Sequence, residues 1–229
     1  QGNSSVITSE TGEYNYKTLL RDKYVFAAYL ASTIGREYVP ESVGIIDQGK
    51  VFVTENKEWL SIEKFFEKEF IYVFKKIDGE CADGVELVKN MNNQVLSGGK
   101  RFKRENYICT MLHNRILIQE RLHQHESIEK LNPNCVNTIR IVTLADKNRN
   151  IGIFAAFLRL GVVKDSFVDN RAKGGLGVGI DLETGRLKEF GFAHDEFGAK
   201  LSKHPLTDVV FKDYQLPYWS ETKKLVVNA

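Results

Sequence analysis

Cysteine is scarce in this 229-residue chain, which has only Cys81, Cys109 and Cys135. No two of them form a CxxC pair, which argues against a zinc ribbon. Their odd number and wide spacing argue against a disulfide framework. We therefore expect three reduced thiols in a cytoplasmic protein.

The sequence also lacks a long apolar stretch and a strong net charge. The sequence contains no run of about 18 apolar residues that could span a membrane and no recognisable signal peptide, so we expect no integral membrane contact. The formal net charge is only +2, which argues against nucleic acid as a partner. The chain begins at Gln1 without a methionine, and we interpret residues 1–15 as a disordered or tag-like segment.

Hydrophobic spacing predicts helices and strands in alternating groups. The predicted helices are 16–33, one that Ser61 caps, 103–113 and 217–228. The predicted strands are 42–46, 50–54, 70–74, 94–96, 115–119, 137–144, 151–160, 176–181 and 186–190. Polar turns at 47–49, 147–150 and 183–185 join three pairs of strands into hairpins. Strands joined by short turns, with helices between the groups, indicate an α+β fold.

A lysine at the end of an apolar strand gives the first chemical signal. The strand runs into Lys75 and Lys76, and a loop bounded by Gly79 and Gly84 follows. Backbone N–H groups of a glycine-bearing loop can hold phosphate oxygens, with a lysine beside them. A solvated lysine pair before a surface hairpin remains the alternative.

A second apolar strand, residues 115–119, ends at an acidic position. Gln119 and Glu120 follow the apolar residues directly, so backbone groups there could meet an adenine edge while the acid reaches a ribose hydroxyl. An ordinary strand end with a solvated glutamate explains the same pattern.

Two arginines occur within apolar strands. Arg140 lies in the first strand of the long hairpin and Arg159 in the second. Arginine is seldom buried without a partner, and two guanidinium groups on one face would suit a phosphate or a carboxylate. Whether they share a face depends on the hairpin register, which the sequence does not give, and edge arginines bridging to acids remain equally possible.

A polar loop with paired glycines follows the second arginine strand. It contains Asp169 and Asn170, then Gly174-Gly175. Such a segment can be a simple turn, or it can cover a phosphoryl group.

In this order, these segments resemble the ATP-grasp superfamily, and most closely the sugar-transfer-associated ATP-grasp family. The similarity extends over roughly residues 20 to 225, and the order of the motifs is more specific than any single one. It is carried by Asp22-Lys23, by residues 131–140 and 157–175, by His204-Pro205 and by residues 216–219.

The resemblance implies two α+β lobes that grip ATP, with an antiparallel sheet in the C-terminal lobe. Residues 16–60 would form an N-terminal segment, residues 61–119 the first lobe with its phosphate-binding loop, and residues 120–229 the second lobe. It implies nucleotide-binding roles for Lys75, Gly79, Gly84, Gln119, Glu120 and Asp169. It implies catalytic roles for Arg140, Arg159 and Asn170.

The activity implied is that of an ATP-dependent carboxylate–amine ligase acting through an acylphosphate. ATP and Mg²⁺ would be the cofactors. The partners would be a small molecule or saccharide with a carboxylate and an amine donor, in the biosynthesis or modification of a surface polysaccharide. A non-catalytic nucleotide- or sugar-phosphate-binding module and a kinase acting on a hydroxyl are the alternatives.

The sequence departs from the family pattern at two places. Lys76 stands where the family usually has a proline. After Trp219 no acidic strand and no Glu-x-Asn follow, so no metal ligand is assigned, and we expect the second lobe to be truncated before its metal-binding strand.

Overall fold

The computed structural model describes residues 17–79, 84–163, 175–193 and 198–228. These residues form two antiparallel sheets with helices between and beside the strands. The helices are α1 (Lys17–Arg21), α2 (Lys23–Thr33), a 3₁₀ helix (Arg36–Tyr38), α3 (Ile62–Phe66), α4 (Arg104–Met111), α5 (Glu126–Leu131) and α6 (Trp219–Asn228). None of the helices within these ranges has the length and apolar character needed to cross a membrane.

The first sheet has eight strands, in the order β3-β2-β1-β8-β4-β5-β6-β7. They are β1 (Ser42–Asp47), β2 (Lys50–Val53), β3 (Glu58–Ser61), β4 (Phe70–Lys76), β5 (Val85–Met91), β6 (Gln94–Ser97), β7 (Lys100–Lys103) and β8 (Ile116–Glu120). β8 lies between β1 and β4, so a late strand occupies the middle of the sheet. The boundary predicted after residue 60 therefore falls within one continuous sheet.

Aromatic side chains form most of the core on one side of this sheet. Phe66 of α3 is fully buried and lies in ring contact with Phe65, Phe70, Phe74 and Tyr107. The predicted cap of this helix is confirmed, since the Ser61 hydroxyl accepts a hydrogen bond from a backbone N–H in its first turn. Burying such side chains is the main source of stability for a sheet of this kind.

The second sheet has five strands, in the order β13-β12-β11-β10-β9. They are β9 (Thr138–Ala145), β10 (Ile151–Leu160), β11 (Leu176–Ile180), β12 (Leu187–Ala193) and β13 (Lys200–Leu201). Its core is mostly aliphatic and includes Leu158, Leu160 and Leu176 together with Phe211, all fully buried, with Trp219 at the start of α6 packed against them. The three predicted hairpins, β1–β2, β9–β10 and β11–β12, are confirmed.

Two predicted helices differ in the structure. The helix predicted over 16–33 is interrupted at Asp22, whose carboxylate accepts hydrogen bonds from the N–H groups of Tyr24 and Val25 and so caps a new helix. The helix predicted over 103–113 begins later, because Lys100–Lys103 pairs with β6 as an edge strand.

Strand β5 has no counterpart among the predicted strands. Asn90 interrupts its apolar pattern, and asparagine is rare in strands. The structure buries this side chain fully, because its amide nitrogen donates to the carbonyl oxygens of Phe66 and Lys68 at 2.8 and 2.6 Å. Partners this distant along the chain are not visible in a local pattern.

Candidate functional site

Lys75 lies on the face of the first sheet that is turned away from the aromatic core. Neighbouring residues of β4 alternate between the faces, so Phe74 packs in the core while Lys75 points to the other side. Its partner across the strands is Leu117, which is 1% exposed. Burial lowers the pKa of Lys75, and the nearby charge of Lys23 lowers it further. An anionic ligand would relieve both effects.

The side chain of Lys23 links the beginning of α2 to the end of β4 through hydrogen bonds. Its ammonium group donates hydrogen bonds to the carbonyl oxygens of Lys76, at 2.8 Å, and Ile77, at 3.3 Å. A third hydrogen bond reaches the carbonyl oxygen of Gly79, at the start of the predicted phosphate loop. The sequence pattern places this lysine only in an opening helix, because the loop that it contacts lies more than 50 residues away.

The predicted phosphate loop is described at its two ends, while residues 80–83 lie outside the described ranges. The N–H of Gly79 donates to the carbonyl oxygen of Lys76 at 3.3 Å, and the N–H of Lys76 donates to Gly84 at 3.2 Å. Gly84 has a φ of 63°, and a Cβ there would lie 2.6 Å from Cγ of Lys76. Only glycine fits this position without displacing the lysine stem.

Gln119 of the predicted nucleotide hinge shares the sheet face of Lys75. It pairs with Val73 of β4, which lies two residues before Lys75 and therefore on the same face of the sheet. Its side chain is nearly fully buried, and its amide nitrogen donates to the carbonyl oxygen of Pro40 at 3.4 Å. The structure therefore brings Lys75 and Gln119 together on one face.

Glu120 lies at the exposed end of β8, opposite Tyr72, and therefore on the face of the sheet opposite to that of Gln119 and Lys75. Its N–H donates to the carbonyl oxygen of Glu41 at 3.0 Å. The pKa of Tyr72 is raised mainly by burial, and then by the charges of Glu120, Glu55 and Glu41. The end of β8 therefore has a negative rim, in contrast to the positive charge around Lys75.

Arg140 and Arg159 lie on one face of the second sheet. Arg140 pairs with Phe157 and Arg159 pairs with Thr138, so the two arginines are diagonal neighbours, about 7–8 Å apart at their backbones. Leu158, between the two β10 positions, points into the core, which leaves both arginines on the open face. The register thus resolves what the sequence left undecided.

A buried polar network holds the backbone just beyond Arg159. The carbonyl oxygen of Gly161 accepts hydrogen bonds from the amide of Asn132 at 2.6 Å and from Nε2 of His204 at 3.0 Å. The N–H of Gly161 donates to the side chain of Asn137 at 3.4 Å. The end of β10 is therefore fixed from three directions, two residues from a predicted catalytic arginine.

His204 is neutral in this network. Its Nε2 donates to Gly161, and its Nδ1 accepts from the N–H of Leu206 at 3.3 Å, so each ring nitrogen has one role. Burial lowers the pKa of His204, and the bond to Gly161 opposes this only in part. In the sequence His204 is only a feature of the family resemblance, because its distance from Asn132 along the chain hides the network.

A small cavity of about 150 Å³ lies beside the hinge, between Arg121 and Val136. Gln124 closes one side, since its amide donates to the carbonyl of Cys135 at 2.7 Å and accepts from the N–H of Asn137 at 2.7 Å. His125 caps α5 through Nδ1, which accepts from Ser127 N–H. The cavity is smaller than an ordinary ligand pocket.

The remaining predicted site residues, Asp169 and Asn170, lie outside the described residues. Lys75 and Gln119 belong to the first sheet and the two arginines to the second. Within the described ranges, no three His, Cys, Asp or Glu side chains are grouped so that they could hold a metal ion.

Comparison with protein families gives a match over nearly the whole chain. The sequence model described as "Sugar-transfer associated ATP-grasp" matches residues 7–229, nearly the whole chain. No curated protein and no solved structure gives a significant match.

Proposed function

The chain belongs to the sugar-transfer-associated ATP-grasp family, and on that basis we propose that it is an ATP-dependent carboxylate–amine ligase. A carboxylate oxygen of the acceptor attacks the γ-phosphorus of ATP, and ADP leaves. The nitrogen of the amine then attacks the acyl carbon of the acylphosphate. An amide forms, phosphate leaves, and the amine proton passes to solvent.

The observation that carries the proposal is the shared face of Lys75 and Gln119. A desolvated ammonium group, its pKa lowered by burial and by Lys23, is most stable with an anion beside it. Lys75 would bind phosphate oxygens, and the backbone at Gly79 and Gly84 would close over them. Glu120, at the exposed end of the same strand but turned to the opposite face, is assigned to a ribose hydroxyl by family resemblance alone.

Arg140 and Arg159 would act on the phosphoryl group and on the acylphosphate. A guanidinium group can bind two oxygens of a phosphate or carboxylate at once, and it keeps its charge at any physiological pH. Phosphoryl transfer depends mainly on such positioning and charge neutralisation. We assign Asp169 and Asn170 to the neighbourhood of the transferred group by family resemblance alone.

Mg²⁺ would enter with the nucleotide. Mg²⁺ keeps several waters and binds substrate phosphates with only one or two carboxylates. The described residues contain no cluster of three His, Cys, Asp or Glu side chains that could bind it, and no step is assigned to the metal. The second candidate is a module that binds a nucleotide or sugar phosphate without catalysis.

For the acceptor we propose a carboxylate-bearing saccharide or small molecule of surface-polysaccharide synthesis, in keeping with the family's association with sugar transfer. The amine donor is a second substrate. The need for ATP favours the cytoplasm as the place of the reaction.

The first test is ATP binding, measured as the shift in melting temperature with ATP and Mg²⁺. We expect saturating ATP to raise the melting temperature by several degrees, since 100 Kd of ligand adds about 2.7 kcal/mol. Lys75→Met should lose most of this shift because the phosphate contact is removed. Lys76→Met is the matched control, since Lys76 follows on the same strand but points to the opposite face, and it should keep the shift. Equal shifts in all three chains would refute the site.

The second test separates a ligase from a kinase and from a binding module. With ATP, a uronic acid acceptor and hydroxylamine, a ligase forms a hydroxamate, because hydroxylamine traps the acylphosphate. A kinase gives a phosphate ester that hydroxylamine does not cleave. ATP binding without either product would support the non-catalytic module.

A further inference from the structure

A groove without an assigned role lies on the open face of the second sheet. Its volume is about 500 Å³, within the range of ligand pockets. Three phenylalanines line it, Phe157, Phe190 and Phe192, over a floor formed by Gly177 and Gly179. We call this the aromatic groove.

The floor of the aromatic groove follows from the alternation of β11. Leu176, Val178 and Ile180 are buried in the core, so the two glycines between them face the groove with no side chain. Glycine is a poor strand residue, and in a strand it often marks a place where a ligand or another backbone comes close. A Cβ on Gly179 would lie 3.1 Å from Cδ of Lys188, so the groove is narrow at that end.

The walls of the aromatic groove are rings that remain partly exposed. Phe192 pairs with Gly177 and is 47% exposed, an unusual position for a phenylalanine of an interior strand. Phe190 has the ammonium group of Lys200 3.6 Å above its ring centroid. Flat apolar rings over bare backbone make a surface on which another ring can lie.

Cations surround these rings. Arg140 pairs directly with Phe157, and Arg159 is its diagonal neighbour on the same face. Lys188 lines the groove, and among its described lining residues only Glu189 is acidic. The charge of the groove therefore complements an anion, while its walls and floor suit an apolar ring face.

We propose that the aromatic groove binds the acceptor as an anionic saccharide, a sugar ring that carries a carboxylate. The C–H face of the ring packs on Phe190 and Phe192, and the carboxylate points towards Arg140. This deepens the proposed ligase function and rests on it, because the groove lies beside the arginines at which the acylphosphate forms. A nucleotide base in the groove is the competing occupant.

The test is binding of trigalacturonate to the full chain by isothermal titration calorimetry. Maltotriose is the uncharged comparison, and tri-aspartate is the comparison of equal charge without sugar rings. Phe192→Ala removes one wall, and Phe154→Ala is the matched control, since Phe154 is 67% exposed on β10 outside the groove. Lys188→Gln, at an exposed position, gives a second reading that does not depend on the folding of the Phe192 variant.

We expect trigalacturonate to bind more tightly than either comparison ligand. Phe192→Ala and Lys188→Gln should each weaken this binding at least about fivefold, with Phe154→Ala unchanged. Phe192→Ala should leave tri-aspartate binding and the ATP-induced melting shift as they are.

Three results would overturn the proposal. One is no preference for trigalacturonate over tri-aspartate, another is equal weakening by Phe192→Ala and Phe154→Ala, and the third is loss of the ATP shift in Phe192→Ala. The last result would assign the groove to the nucleotide.

Absence of an ATP shift in the unsubstituted chain would reject the ligase function, while the saccharide titrations would still decide what the groove binds.

Discussion

Lys75 and Lys76 have the same side chain and adjacent positions, yet their surroundings differ. Alternation along β4 turns Lys75 towards Leu117 and Gln119, where burial lowers its pKa, and leaves Lys76 exposed on the other side. The sequence showed a lysine pair at a strand end and could not decide between the two. At the residue scale, function therefore depends on which face a side chain occupies.

His204 gives a pH prediction at the same scale. Its pKa is lowered from the ordinary value of 6.5, so between its folded pKa and about 6.5 the unfolded chain binds a proton that the native state does not. The contribution of neutral His204 to the free energy of unfolding is therefore fully present above about pH 6.5, and it is lost as the pH falls through the folded pKa. The loss is at most about 1.4 kcal/mol per pH unit, the limit for one proton.

Urea unfolding at pH 5 to 8 measures this effect in His204→Gln. Glutamine can donate to Gly161 but does not titrate, so its unfolding free energy should vary less with pH than that of the unsubstituted chain. His113→Gln, at an exposed position, should keep the original pH dependence. Parallel curves for the unsubstituted chain and His204→Gln would contradict the assignment.

The β11–β12 hairpin shows how an element is fixed by a contact outside itself. Gly185 in its turn has a φ of 73°, and its N–H donates to the carbonyl of Asp181 at 2.9 Å. The indole N–H of Trp219 donates to the carbonyl of Leu182 at 3.0 Å, so α6 begins directly against the turn. The turn was predictable from Glu183-Thr184-Gly185, and the tryptophan against it was not.

Gly185→Ala should destabilise the protein by about 2–5 kcal/mol. A left-handed φ costs a residue with a Cβ roughly 1–2 kcal/mol, and forcing a side chain into packed surroundings adds about 1–3 kcal/mol. The added Cβ would lie 2.3 Å from Cγ of Trp219. Chemical denaturation measures the change.

Gly99→Ala separates the two contributions. Gly99 has a φ of 75°, but a Cβ there meets nothing within 4 Å. Only the backbone cost applies, so we expect a loss of about 1–2 kcal/mol. If both variants lose the same stability, the contact with Trp219 contributes nothing.

At the scale of the whole molecule, the described residues contain two separate hydrophobic cores. One is the aromatic cluster around Phe66 and the other the mostly aliphatic cluster around Leu158. Each core lies against its own sheet, and within the part of the chain that the structure describes no strand pairing joins the two sheets. Separate cores allow parts of a chain to open with different free energies.

Core substitutions should therefore act on one sheet at a time. Phe66→Ala should cost about 3–5 kcal/mol and Leu158→Ala about 2–5 kcal/mol, because each leaves a cavity in a fully buried site. Hydrogen exchange should show that Phe66→Ala weakens protection in β4 and β8, and that Leu158→Ala weakens it in β9 to β11. Uniform loss of protection across both sheets in either variant would mean that the chain unfolds as one unit.

The sequence by itself determined the features that depend on neighbours in the chain. Turn residues determined the three hairpins, and Ser61 determined the start of its helix. The α+β class and the family followed from the order of such segments, and the family match over residues 7–229 confirms them. Local hydrogen bonds and side-chain alternation decide these features, so a short window contains the information.

Only the tertiary structure decided which distant residues meet. It inserted β8 between β1 and β4, set the register that puts Arg140 and Arg159 on one face, and joined Lys23 to the loop at Gly79. It also brought Phe157, Phe190 and Phe192 together in the aromatic groove. In the sequence these phenylalanines stand among core residues, so a local pattern does not show that they line a groove. A shift of one residue in pairing moves every side chain to the opposite face, and this register is set by packing across the whole sheet.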